Sequence, residues 1–215
     1  MTFLTMLETM AVGMLRTCAI FFLTLIGSLP LGLIICLIRK SNNKIISGII
    51  KVIISIIRGT PLMLQLLVWY FGPYYLFGWS IKGYRFPAIL IGFIVNYGCY
   101  FAEIYRGGIE SMPNGQYEAA EVLGYTKFQT FMKIILPQVA KRILPSITNE
   151  VITLVKDTSL AFTLAYQEVF SIAKQISASQ TSFMPFLIAG VFYYVANYVV
   201  AFVMDRIEKS MQYYR

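Results

Sequence analysis

Four ionisable residues stand inside stretches that are otherwise apolar: Glu103, Glu150, Lys156 and Asp157. A charge at the centre of a bilayer costs roughly 2.5–3.5 kcal/mol on insertion scales, so each of these residues needs a partner. Two chemistries can supply one. In the first, Glu103 pairs with Arg106 one turn on, and Lys156 with a nearby acid. In the second, the acids face a polar zwitterion. Asp157 is then the first candidate to hold its ammonium group, with the hydroxyls of Thr158 and Ser159 alongside. A carboxylate on the same molecule would be favoured at an interrupted helix, where free N–H groups and the positive dipole end converge. Thr60-Pro61 reads as such an interruption: Pro61 suits the first helical position, Thr60 suits the cap, and Gly59 relaxes the backbone. Histidine is absent, which excludes histidine-based catalysis, metal ligation and pH sensing. Cys18, Cys36 and Cys99 lie in apolar runs without metal-ligand spacing and read as small packing residues, so no metal and no cofactor is expected.

The elements that must hold these residues are legible from charge spacing. The chain of 215 residues is 58% hydrophobic and 13% charged. Uninterrupted by charge are residues 17–38 (22 residues), 59–81 (23), 86–102 (17) and 175–204 (30). A bilayer core of about 30 Å needs ~20 such residues of helix. A weaker fifth segment runs from Leu144 to about Ala165 and contains Glu150, Lys156 and Asp157. The expectation is an all-α, polytopic membrane protein of about five transmembrane helices. Glu8 is the first charge and no basic segment precedes the first run, so that run is expected to be a retained span rather than a signal peptide.

Five spans put the two ends on opposite sides, and basic residues choose the sides. With the N-terminus outside, 12 of the 18 basic residues fall inside: Arg39, Lys40, Lys44, Lys51, Arg106, Lys127, Lys133, Lys141, Arg142, Arg206, Lys209 and Arg215. Arg16, Lys82, Arg85 and Lys174 fall outside, and Arg58 and Lys156 lie at undetermined depth. The net charge of +8 is thereby explained by topology, and no nucleic-acid partner is expected. The aromatic crowd from Trp69 to Phe86 suits the outer headgroup level. Lipid is the expected surrounding.

The one long polar stretch, residues 107–142, lies inside in this orientation. Pro113, Asn114 and Gly115 form a turn. A helix is expected over 116–123, stopped at Gly124. A second helix starts at Thr126, with Gln129 completing a capping box, and ends before Pro137. Ala119 and Ala120 would let a partner approach closely.

Within this loop, Glu118-Ala119-Ala120, then Gly124 after three residues, then Ile134-x-Leu136-Pro137 after nine more, resembles the EAA loop of ABC importer permeases. Arg58-Gly59-Thr60-Pro61 with Leu62 and Gln65, Ala102-Glu103-Ile104-x-Arg106-x-Gly108-Ile109, and Lys156-Asp157-Thr158-Ser159-Leu160 are similar to the polar amino acid permeases of that superfamily. The resemblance covers nearly the whole chain, read as a single permease domain over 1–215. It implies coupling residues Glu118, Ala119, Ala120, Gly124 and Pro137, which dock on a cytoplasmic ATP-binding subunit. It implies substrate-site residues Thr60, Gln65, Glu103, Asp157, Thr158 and Ser159. It also implies a second permease copy or a similar permease, an extracytoplasmic amino acid binding protein, a bacterial cell membrane and alternating access. No phosphate-binding loop of the form G-x-x-x-x-G-K-S/T occurs, so a partner chain is expected to supply ATP hydrolysis, and the chain itself is not expected to be an enzyme. The alternative is a secondary transporter or channel driven by an ion gradient, for which internal repeats would be expected and are not seen. An intramembrane enzyme is disfavoured by the missing catalytic constellation.

Overall fold

The computed structural model describes residues 2–211. Arg215, counted above with the basic residues of the inner face, lies outside them. Among the described residues nine α-helices follow in order: α1 (Phe3–Arg39), α2 (Lys44–Gly59), α3 (Leu62–Phe77), α4 (Arg85–Glu110), α5 (Asn114–Val122), α6 (Lys127–Thr130), α7 (Leu136–Asp157), α8 (Val169–Gln180) and α9 (Met184–Ser210). A π-helical turn (Phe131–Ile135) joins α6 to α7, and a 3-10 segment (Thr158–Leu164) continues α7. No strand occurs among the described residues, so the all-α class holds.

Among the described residues, α1, α4 and α9 are long and apolar enough to cross a membrane. The α2–α3 pair, bent by 111°, adds a fourth crossing if counted as one span. The fifth expected span corresponds to α7 and its 3-10 extension. Its charged residues keep it from standing out by composition.

Several expected boundaries move. The first run predicts a helix over 17–38, yet α1 spans Phe3–Arg39 and reaches about 55 Å at 1.5 Å per residue, longer than a bilayer core. Its N-terminal turns instead pack Met6 and Met10 against Val169, Ile172 and Ile188 of α8 and α9. The 30-residue run splits, because Thr181 adopts a left-handed φ of 49° that ends α8. Upstream of the second run, Lys44–Gly59 is a helix of its own. It is amphipathic: Lys44, Lys51 and Arg58 recur every seven residues, while Ile45, Ile49, Val52, Ile53 and Ile56 stay exposed on another face.

The core sits where α1 and α4 run side by side. Ile20, Phe21, Leu66, Phe93, Tyr97, Phe101 and Leu154 are buried together. Toward the C-terminal end of α1 Cys36, Ile54, Cys99, Ala102, Ile135 and Val139 form a second cluster, which accounts for two of the three cysteines as packing residues. Gly32 permits this approach. A Cβ there would come within 2.8 Å of the Phe101 Cβ and 3.0 Å of the Gly98 carbonyl oxygen, and backbone cannot give way as a side chain can.

Candidate functional site

At residues 59–61 the chain turns as the sequence suggests, but the capping roles differ. Thr60 closes α2 rather than opening α3, and Pro61 is the N-cap residue of α3 without a side-chain cap. The Thr60 hydroxyl turns back to donate to the Ile56 carbonyl (2.9 Å). Gln65 stitches the corner together: its Nε2 reaches the Ile57 carbonyl (2.7 Å), the Thr60 carbonyl (3.0 Å) and the Thr60 hydroxyl (3.0 Å). Asn96 of α4 donates to the Gln65 Oε1 at 3.0 Å, both residues being buried. Thr60 and Gln65, two of the substrate-site candidates, thus spend their polar atoms in this conformation on fixing the bend.

Glu103 is more heavily paired than its own helix suggests. Arg106 meets it at 2.8 Å, Arg39 of α1 at 2.9 Å and Arg58 of α2 at 3.9 Å. Arg106 also binds Glu110, and the Arg58 guanidinium lies 4.9 Å from the Tyr100 ring centroid. The carboxylate therefore ties α1, α2 and α4 together at this end of the bundle. Arg58, at undetermined depth in the sequence, sits in this cluster.

Asp157 accepts a hydrogen bond from the Tyr97 hydroxyl at 2.7 Å across from α4. Lys156 has no ion pair among the described residues and points outward, so the neutralisation of Asp157 by Lys156 expected in one reading is not formed. Thr158 and Ser159 turn their hydroxyls back onto Val155 (2.6 Å) and Lys156 (2.8 Å). Thr158 is fully buried and Ser159 half-buried, so Thr158 is not open to a ligand in this conformation.

The feature the sequence does not isolate is the face on which Asp157 lies. Ser146, Asn149, Thr153 and Lys156 recur at helical spacing along α7 and are all exposed. Glu150 and Asp157, seven residues apart on the adjoining strip, are half-buried. Glu150 has no hydrogen-bond or ion-pair partner among the described residues. An exposed polar strip on a spanning helix is costly against lipid and stable against water or another subunit.

From this face the same helix runs back into the polar loop of residues 107–142. α5 ends in a Schellman motif: the Tyr125 N–H bonds the Ala120 carbonyl (3.0 Å) and the Gly124 N–H bonds that of Glu121 (2.9 Å), with Gly124 at φ +78°. Open space surrounds Gly124, so the backbone angle, not crowding within the chain, selects glycine. The Thr126–Gln129 capping box forms as expected. The second helix does not end before Pro137. The π turn, closed by the Leu136 N–H to the Phe131 carbonyl, widens the ladder just where Pro137 brings no donor, and α7 carries on. Glu118 and Ala119 are exposed, whereas Ala120 is 1% exposed and packs within the chain, so of the two alanines only Ala119 is free to meet a partner. Val122 (88% exposed), Leu123 (73%) and Phe128 (73%) form an apolar tip on either side of Gly124. Arg142 braces the loop by donating to the Ser111 carbonyl (2.6 Å).

The family model described as the binding-protein-dependent transport system inner membrane component matches residues 28–213. The chain belongs to this family. The inner membrane component is 35% identical over 200 residues to a putative glutamine transport system permease protein of Rickettsia conorii, covering 93% of this chain and 91% of the relative. It is 33% identical over 205 residues to the L-cystine transport system permease protein of Bacillus subtilis, covering 94% and 86%. A crystal structure of an amino acid ABC transporter with histidines matches with a TM-score of 0.87 at 31% identity, covering 98% of this chain and 99% of that one. An inward-facing methionine ABC transporter matches with a TM-score of 0.77 at 20% identity, which shows the fold alone.

Sequence reasoning passes over one buried acid in this inner membrane component. Glu168 is 0% exposed and caps α8, accepting from the Ser171 N–H (2.6 Å), the Phe170 N–H (2.7 Å) and the Tyr193 hydroxyl (2.8 Å). The local signal is weak, an acid directly before the apolar start of α8, since the side chains favoured at an N-cap are Ser, Thr, Asp and Asn. Asn96 and Tyr97 carry no comparable mark.

The Gln65 corner generates the first prediction. Gln65→Leu fills the same space but strands the Asn96 amide and the carbonyls of Ile57 and Thr60. The expected cost is about 1–3 kcal/mol. It should appear as a lower apparent melting temperature of the detergent-solubilised protein on fluorescence-detected size exclusion. An unchanged midpoint would show that the corner is held by other means.

Proposed function

We propose that the chain is the membrane-spanning permease subunit of an ATP-driven importer of polar amino acids. One observation carries this reading: the polar face of α7 and the cytoplasmic loop belong to one unbroken helical rod. From Lys127 through the π turn to Asp157 the rod is about 45 Å long at 1.5 Å per residue. A displacement at the loop therefore reaches Glu150 and Asp157 along one continuous helix, which carries Pro137 and Pro145 but no intervening loop.

In this reading the apolar tip around Gly124, with Glu118 and Ala119, docks on a cytoplasmic ATP-binding subunit. The exposed strip of α7 faces an aqueous path completed by a second permease copy or a similar permease. An extracytoplasmic binding protein delivers the cargo, and ATP-driven closure alternates access to the path. The N-terminus lies outside the bacterial inner membrane and the C-terminus inside. The amino acid class rests on the relatives, whose names include glutamine and L-cystine permeases. The site adds a preference. Glu150 and Asp157 lie on the strip without a protein cation paired to either, so an amino acid with a cationic side chain would satisfy both acids, one at each ammonium or guanidinium group.

Three measurements test the proposal. Purified complex assayed across a panel of amino acids, with its binding protein, should show ligand-stimulated ATPase activity. In Gly124→Asp that stimulation should be lost while the protein still inserts in the membrane, and normal uptake by this variant would contradict docking at the loop. Asp157→Asn keeps the acceptor for Tyr97 but removes the charge. Uptake should fall by an amount equivalent to roughly 2–5 kcal/mol, with basal hydrolysis retained, whereas Lys156→Gln should transport normally. Equal loss in both variants would return Asp157 to a structural role. For orientation, single cysteines at Asn114 and Lys82 in a cysteine-free background should react with an impermeant thiol reagent only from inside and only from outside, respectively. Labelling at 114 in intact cells would reverse the topology.

A further inference from the structure

A cavity of about 580 Å³ opens at the cytoplasmic end of α1, beneath the loop. Its lining mixes two kinds of chemistry. Lys40, Lys127, Tyr117, Tyr125 and Glu121 supply polar groups, and Leu37, Ile109 and Phe131 supply an apolar wall. Lys40 and Lys127 come from opposite sides, one from the end of α1 and one from the first turn of α6. Neither has an ion-pair partner among the described residues, and the hydroxyls of Tyr117 and Tyr125 have no hydrogen-bond partner there.

We propose that this cavity seats the headgroup of an anionic phospholipid of the inner leaflet, with phosphatidylglycerol as the fitting type. Three features select it. First, the cavity is continuous with lipid-facing surface: Leu33, Ile34 and Leu37 are all exposed at helical spacing on α1, and Lys40 follows Leu37 by one turn. An acyl chain lying on the α1 strip delivers its phosphate to Lys40. Second, two lysines against the single acid Glu121 leave a charge of +1, which a headgroup of net −1 cancels and a zwitterionic headgroup does not. Basic pockets between helices on the cytoplasmic side are suited to such headgroups. Third, Glu121 accepts hydrogen bonds that the glycerol hydroxyls of this headgroup donate, and the two tyrosine hydroxyls donate to its phosphate. Tyr117 and Glu121 lie on one face of α5, four residues apart, while Glu118 and Val122 share another. The lipid thus holds the inner face of the loop against α1 and leaves its tip free.

The test measures retained lipid on the purified permease–ATPase complex by native mass spectrometry. The complex is drawn from nanodiscs of phosphatidylcholine alone, or mixed with phosphatidylglycerol or with phosphatidylethanolamine. The unmodified protein should keep phosphatidylglycerol in preference to both others. Lys40→Gln and Lys127→Gln should each lower that preference by about fivefold. The unmodified protein also gives a test that no folding defect can obscure: phosphatidylglycerol should shield Lys40 and Lys127 from a water-soluble acylating reagent more than it shields Lys44, which is exposed nearby but outside the cavity. Equal retention of the three lipids, equal shielding of the three lysines, or a lipid preference that survives both substitutions would overturn the proposal. If the two variants release the ATPase while the lipid preference stands, the cavity belongs to the subunit interface and the proposal fails.

Discussion

Inside a bilayer core no water is at hand, so a polar group must find its partner within the protein or cost several kcal/mol. Much of the internal architecture follows from meeting that demand. The corner between α2 and α3 frees backbone groups that a straight helix would have paired, and Gln65 and Asn96 are buried there to take them up. Glu103 is stable because Arg39, Arg58 and Arg106 converge on it from three helices. Glu168 is stable because it ends two backbone N–H groups and a tyrosine hydroxyl. In each case at least one partner comes from a different element, so satisfying one polar atom also fixes how two helices sit. Gly32 belongs to the same scheme: by letting α1 lie directly on α4 it brings Arg39 within reach of Glu103.

Against that background, the charged groups left without ion-pair partners on α7 stand apart. Glu150 and Lys156 have no ion pair, and Ser146, Asn149 and Thr153 share their exposed strip on α7. The same chain that pairs Glu103 three times over leaves these open. An exposed strip of this kind is costly against lipid and stable where water or another subunit reaches it. It also explains why α7 is the one crossing that length and apolarity fail to reveal. Half of its circumference is not written for lipid.

How much of this was legible in the sequence depended on whether the signal was local. The Thr126–Gln129 box and the Gly124 stop are short-range patterns, and both form where spacing puts them. The charge-free runs located α1, α3, α4 and α9 but not their ends, since the turns of α1 beyond the bilayer are stabilised by α8 and α9 rather than by lipid. Pro137 misled for a similar reason. Proline ends an isolated helix, but one π turn ahead of it lets the ladder reopen and close again. α2 was hidden by its own chemistry: three basic residues in sixteen break up the apolar run, and only their seven-residue spacing, set against the isoleucines between them, marks an amphipathic helix. Of the candidate site residues, Asp157 kept its place on an accessible face. Glu103, Thr60, Gln65 and Thr158 proved to be held by contacts from Arg39, Asn96 and Val155 that no single-sequence pattern announces.

The π turn at Phe131–Ile135 matters for mechanics as well as for continuity. A helix transmits displacement along its axis only while its hydrogen-bond ladder is closed, and Pro137 lies between the loop and the polar face. Without the extra residue in the preceding turn, the proline ring would press on the Lys133 carbonyl, and the rod would kink or break there. With it, the break is spread over a full turn, and the Gln138 side chain donates to the Ile134 carbonyl at 2.8 Å and comes within 3.2 Å of the Gln116 side-chain oxygen in α5. The weakest turn of the rod is thereby the one fastened to the loop. α5 is thus tied to α7 at that fastening as well as through the short link at Gly124, and on the way to Glu150 and Asp157 the helix meets a second proline, Pro145, which again brings no N–H to the ladder.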